Sequence, residues 1–289
     1  MTVLYKKTYL LTTPNFRLLS LPHPWRIWII GCSIRGREEE NAMKLYIAGD
    51  GPREKELRSL CVRRGHTLPD HGPWDMVALP LPRSSIAEEL ADQLPPGQKV
   101  ACGITDACFD RLAARRGWRL MRVLQDERYS LENAALTAEG AVSAAMNACP
   151  FALGRSRCLV IGYGRIGKRL AFLLRALGAS VKVAARRAES RQEAGPGSVS
   201  IVEIPSVLPE TDLIFNTVPA MILDRKALLL VSPSACLMEL ASKPYGMDLD
   251  AAKELGLRVL VEGGLPGRYC PKSAAMALLD CLERMNRHE

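Results

Sequence analysis

The sequence predicts an α/β fold: two Rossmann-like domains with parallel sheets, joined by a linker helix and closed by a returning C-terminal helix. Three observations carry this. From Met43 onward, short apolar runs alternate with amphipathic segments, as strands and helices do around a parallel sheet. An alanine-rich helical segment interrupts the alternation, which restarts at Arg157. One later run, Cys158-Leu159-Val160-Ile161, leads straight into Gly162-Tyr163-Gly164-Arg165-Ile166-Gly167. That glycine spacing carries meaning when a strand precedes it and a helix follows.

The elements follow in order. Residues 1–42 are broken by Pro14, Pro22 and Pro24 and read poorly as a folded unit. Glu38-Glu39-Glu40 imply purine-rich codons, and Asn41-Ala42 space them from Met43, as in a translated ribosome-binding site. Met43 is therefore expected as the natural start, and 1–42 as a misassigned or disordered extension. Residues 43–136 form the expected N-terminal α/β domain, on the substrate and partner side. Its strands fall at 44–48, 76–79, 99–104 and 120–124, its helices at 53–64, from Ser84 or Ser85 to 90, and at 106–115. A linker helix is expected to start at Thr137. Residues 137–272 then form the dinucleotide-binding domain. Met276, Leu279, Cys281, Leu282 and Met285 lie at helical spacing, so 273–289 is a helix returning to the first domain.

Composition narrows the function. The 289 residues are 48% hydrophobic and 24% charged, with a net charge of +8. No apolar run reaches the roughly 18 residues of a membrane span. The basic balance suits phosphates or carboxylates. Nucleic acid is not expected, since only 6% of residues are aromatic and no basic block interleaves with them. Nine cysteines, an odd number without a CxxC pair, point to reduced thiols in a cytoplasm rather than disulfides or zinc. The four histidines show no metal spacing, and no metal is expected.

The glycine motif is the strongest chemical signal. Gly162 permits a tight turn, Gly164 lets backbone approach a pyrophosphate, and Gly167 packs the helix on the strand. Tyr163, Arg165 and Ile166 complete the turn, whose N–H groups face the phosphates at the helix start. NAD sites place an acidic residue about 20 residues on, for the ribose hydroxyls. Here Ala184-Ala185 is followed by Arg186 and Arg187. Their guanidinium groups suit a 2′-phosphate, so NADP is expected, with NAD the alternative. Asn216, Thr217, Val218 and Pro219 follow a later strand and are expected in the same cofactor crevice.

These residues resemble the A-type subunit of dipicolinate synthase from spore-forming bacteria. The resemblance runs from about Met43 to the C-terminus. It is most specific in Leu136-Thr137-Ala138-Glu139-Gly140, the glycine motif, Phe215-Asn216-Thr217-Val218-Pro219, Ala241-Ser242-Lys243-Pro244 and Gly264-Leu265-Pro266-Gly267. Tyr269-Cys270-Pro271-Lys272 departs from the family's Ala-Pro-Lys, and the first domain matches more loosely. The resemblance implies oxidation of a dihydro- or hydroxytetrahydro-dipicolinate precursor in the mother-cell cytoplasm during sporulation, beside a second, flavoprotein-like subunit. Self-assembly into a homo-oligomer is compatible with it.

A ring with two carboxylates needs cations or N–H donors at each. Arg128 on the first domain, with Lys243, Arg268 and Lys272 on the second, are the expected carboxylate partners, Lys243 also being catalytic. Glu139 is the expected general base, with a helix-start carboxylate as its equal alternative. Thr137, as cap or substrate contact, and Asn133 complete the substrate residues. Two other readings stay open: a 2-hydroxyacid or amino-acid dehydrogenase, and a non-catalytic NADP-binding partner of a flavoprotein.

Overall fold

The computed structural model describes residues 42–287, so the expectations for the extension lie outside the described residues. The first domain runs β1 (Leu45–Ile47), α1 (Pro52–Arg63), β2 (Met76–Ala78), α2 (Glu88–Gln93), β3 (Lys99–Cys102), α3 (Ala107–Arg116) and β4 (Arg119–Arg122). The four strands pair in chain order, all parallel. Period-two alternation sends successive side chains to opposite faces. Met76, Ala78 and Ala101 join one cluster with Leu57 of α1, and Val77, Val100 and Cys102 join another with Leu90 and Phe109. The first cluster is completed by Leu278, Leu279 and Leu282 of the last helix, Pro271–Arg287. The N-terminal core is therefore finished by the C-terminal end of the chain.

Neither Ser84 nor Ser85 caps α2, which starts at Glu88 with Ala87 before it. The Ser84 hydroxyl instead donates to the Pro80 carbonyl and accepts from the Gly103 N–H, fixing the β2–α2 loop.

The linker helix α4 spans Glu127–Ala148 and begins ten residues before the expected start. Asp126 caps it, accepting from the Tyr129 N–H at 2.7 Å. Thr137 and Glu139 thus lie in mid-helix, and neither is a helix-start residue. The reason is that α4 serves two domains. Tyr129 packs in the first core, whereas Ala138, Ala141 and Ala145 pack in the second. The apolar face shifts along the helix, and no single stripe marks its beginning.

The second domain runs β5 (Arg157–Ile161), α5 (Arg165–Ala176), β6 (Ser180–Ala184), α6 (Ala188–Ala194), α7 (Ile204–Val207), β7 (Leu213–Asn216), α8 (Arg225–Leu228), β8 (Cys236–Glu239), α9 (Leu249–Glu254), β9 (Arg258–Val261), α10 (Leu265–Tyr269) and α11 (Pro271–Arg287). Its parallel strands lie in the order β6-β5-β7-β8-β9. The strand order reverses between β5 and β7, and ligands of open α/β sheets bind beyond the carboxyl ends at such a switch point. Among the described residues, no helix is long and apolar enough to cross a membrane.

Candidate active site

The turn after β5 is held open by steric necessity. Gly162 has φ +98°, and a Cβ there would stand 2.4 Å from Thr217 Oγ1 and 2.7 Å from Val218 Cγ2. A Cβ on Gly167 would meet the Gly162 carbonyl oxygen at 2.1 Å, so α5 starts against the turn itself. A Cβ on Gly164 would meet nothing within 4 Å. Gly164 therefore borders open space at the first turn of α5, where packing of the fold does not require the lack of a side chain. The glycines, the helix start and the adjoining switch point fit a dinucleotide pyrophosphate. A cleft of about 410 Å³ runs past this turn, between Thr217-Val218-Pro219 and the first-domain side at Leu124, Ser130 and Asn133.

A deeper cavity of about 560 Å³ lies between the domains. It shares Leu124, Asn133 and Ile166 with the nucleotide cleft, so the two spaces adjoin. Tyr129, Asn133 and Thr137 recur every four residues along α4 and present one polar stripe to it. Arg53, Arg83 and Ile104 close it from the first domain, and Ser242, Lys243 and Tyr245 from the second. Among the described residues, Arg83 and Lys243 take part in no ion pair, whereas Glu262, the carboxylate of the second-domain wall, pairs with Arg268 at 2.5 Å. The unbalanced charge of the walls is positive and favours an anionic guest.

One buried carboxylate braces both spaces. Asn216 and Glu239, each 0% exposed, end neighbouring strands in register. The Asn216 amide donates to the Glu239 oxygens at 2.8 and 3.0 Å and to the Val218 carbonyl at 2.9 Å. Glu239 also accepts from the Ala241 and Gly246 N–H groups at 2.9 and 3.1 Å. Burial pushes its carboxyl above the usual range, and these donors counteract the rise. The unit ties the Thr217–Pro219 wall of the nucleotide cleft to the 241–246 wall of the cavity.

Residues 120–242 match the family described as D-isomer specific 2-hydroxyacid dehydrogenase, NAD binding domain. Over 203 residues the chain is 29% identical to the A-type subunit of dipicolinate synthase from Bacillus subtilis (strain 168), covering 69% of this chain and 68% of that protein. The crystal structure of the same subunit from Bacillus halodurans superposes with a TM-score of 0.76 at 24% identity, over 85% of this chain and 98% of that one. Its crystal structure from Bacillus subtilis gives 0.73 at 24% identity, over 86% and 96%. The chain resembles the A-type subunit of dipicolinate synthase. It is an NAD(P)-binding, dehydrogenase-type oxidoreductase with a nicotinamide cofactor.

In this dipicolinate synthase-like frame, the expected residues divide. Thr217, Val218 and Pro219 line the nucleotide cleft with Gly162, Tyr163, Gly164, Arg165 and Ile166. The Arg165 side chain also reaches across the domain boundary to ion-pair with Glu127. Asn216 is corrected: it is fully buried with its amide engaged by Glu239 and Val218, so it shapes the cleft without facing a cofactor. Arg186 and Arg187 are exposed just beyond β6, and Arg187 borders an outer groove with Tyr163 and Gly164.

Among the substrate residues, Asn133, Thr137 and Lys243 meet at the cavity. Glu139, Arg128, Arg268 and Lys272 are exposed and stand outside its lining. The reason is helical phase. Glu139 follows the inward-facing Thr137 by two positions, about 200° around the helix. Arg128 pairs with Glu132 on the outer side of α4. Arg268 pairs with Glu262 and stacks over Tyr269. Sequence reasoning missed Arg53 and Tyr129, which line the cavity, and Glu239, which braces its wall. The four-residue recurrence with Asn133 and Thr137 was the visible signal for Tyr129, hidden by the misplaced start of α4.

Proposed function

We propose that the chain oxidises a dihydro- or hydroxytetrahydro-dipicolinate precursor with NADP, beside a flavoprotein subunit, in the mother-cell cytoplasm during sporulation. The observation that carries this reading is the adjoining of a glycine-built nucleotide cleft and a net-cationic cavity between two domains. The likeness to dipicolinate synthase supplies the substrate. Arg186 and Arg187 favour the 2′-phosphate, as forked donors at the end of the second strand of the unit.

The bound nicotinamide supplies the two-electron redox chemistry. The residues of the chain bind, orient and exclude water. Arg83 and Lys243 approach from opposite domains, and each attracts one carboxylate. Asn133 and Thr137 offer hydrogen bonds along α4 to the ring between them. Leu124, Ile166 and Leu240 give the cavity an apolar wall that keeps water from the reacting carbon. Lys243 is a cationic side chain of the second-domain wall without an ion pair among the described residues and retains the catalytic assignment, whereas exposed Glu139 does not.

The test follows reduced-nicotinamide absorbance with the dihydrodipicolinate precursor, with and without the flavoprotein partner. Reduction of NADP in preference to NAD is expected, and Arg186→Asp is expected to reverse the preference. No reduction of either nucleotide with the partner present would end the reading. An unchanged preference in the variant would end the NADP assignment alone.

A further inference from the structure

The cavity holds a second feature that the two free cations do not explain. Arg53 sits at the start of α1, its side chain only 6% exposed. Its Nε and Nη2 groups donate to Glu54 Oε1 at 3.1 and 2.8 Å, and Nη2 also donates to the Leu81 carbonyl at 2.7 Å. These bonds lock the guanidinium in place. The two N–H donors of Nη1 have no partner among the described residues, yet Nη1 is not one of the fully occluded polar atoms without a partner. It therefore borders accessible space, and the space Arg53 lines is the cavity. Tyr129 repeats the pattern. The residue is 2% exposed, its hydroxyl has no partner among the described residues, and it lines the same cavity.

Two fixed, nearly buried side chains thus aim free donors into one cavity wall, where water or a ligand completes them. We propose that Arg53 Nη1 and the Tyr129 hydroxyl form a fixed carboxylate-recognising subsite on the first-domain side of the cavity, which selects substrates bearing a second carboxylate. This inference rests on the reading of the cavity as the substrate site. Glu54 balances the charge of Arg53, so the subsite recognises by directed donors, while Arg83 and Lys243 supply the net attraction. Burial pushes the Tyr129 phenol up to about 12, with the Arg53 charge acting against the rise. The hydroxyl therefore stays a donor throughout the neutral range and is no base.

The test uses calorimetry on the full chain loaded with NADP, with pyridine-2,6-dicarboxylate and pyridine-2-carboxylate as probes. The intact protein is expected to bind the dicarboxylate more tightly. Tyr129→Phe and Arg53→Gln should each weaken dicarboxylate binding by about fivefold or more, as expected for one lost hydrogen bond to a charged group. Each should narrow the gap between the two probes while leaving NADP affinity unchanged. Tyr129→Phe removes one oxygen and keeps the ring in its core, so it decides the matter if Arg53→Gln fails to fold. Unaltered dicarboxylate binding in Tyr129→Phe would overturn the subsite and leave the cavity reading intact. Failure of the unmodified protein to bind either probe would overturn both.

Discussion

Gly162, Gly164 and Gly167 belong to one motif but answer to different forces. Gly162 and Gly167 are fixed by the fold, because a methyl group would strike Thr217 or the turn's own carbonyl. Gly164 is not fixed by the fold, because a methyl group there enters empty space, and the proposed dinucleotide would supply the reason for it. Gly164→Ala should therefore leave the thermal midpoint almost unchanged yet weaken dinucleotide binding by about tenfold or more, since the backbone can no longer approach the pyrophosphate. Calorimetry beside thermal unfolding checks this, and a folded variant that binds normally would contradict it. The glycine motif was legible in the sequence because its spacing is a local property. The role of Asn216 was not. Whether a side chain at a strand end faces the cofactor depends on the neighbouring strand, and here β8 offers Glu239 in register.

At the scale of elements, α4 decides how the site is assembled. Its N-cap, Asp126, also accepts from Arg284 of α11 at 2.8 Å, joining the linker helix to the returning helix. Asp126→Ala should cost about 2–3 kcal/mol, combining a lost cap with a partly buried guanidinium left unpaired. Chemical denaturation measures this, and a loss near zero would show that the junction is held by packing alone. Burial tends to raise the Asp126 carboxyl, but the Arg284 hydrogen bond and the Tyr129 N–H prevail and hold it below the usual range. Its folded pKa is depressed. Its stabilising contribution is therefore present above the unfolded value of about 3.9 and is lost as pH falls through the lower folded value. The destabilisation by Asp126→Ala should shrink correspondingly on acidification below that range. The helix was legible from its alanines, but its first ten residues were not, because they pack against a different domain.

At the scale of the molecule, the nucleotide cleft and the cavity both lie between domains joined by α4 and α11. Ligands that bind only the folded chain stabilise it by mass action, about 2.7 kcal/mol at a free concentration of 100 times Kd. NADP at that level should raise the thermal midpoint, and pyridine-2,6-dicarboxylate added with NADP should raise it further. The increment should be larger with the nucleotide than without it, because the two spaces share the walls at Leu124, Asn133 and Ile166. Thermal unfolding with each ligand and with both measures this, and strictly independent shifts would contradict the shared wall.

Alternation of strands and helices, the glycine turn and the want of an acidic residue after Ala185 could be read from neighbouring letters, because they express local conformational and steric rules. The membership of the cavity could be read only in part: Asn133, Thr137 and Lys243 were expected there, Arg53 and Tyr129 were not. Arg53, the α4 residues Tyr129 and Asn133, and Lys243 come from three distant parts of the chain and meet through the crossing of α4 between two sheets. Which face of that helix turns inward is set by packing against both domains at once, and this placed Thr137 in the cavity wall and Glu139 in solvent.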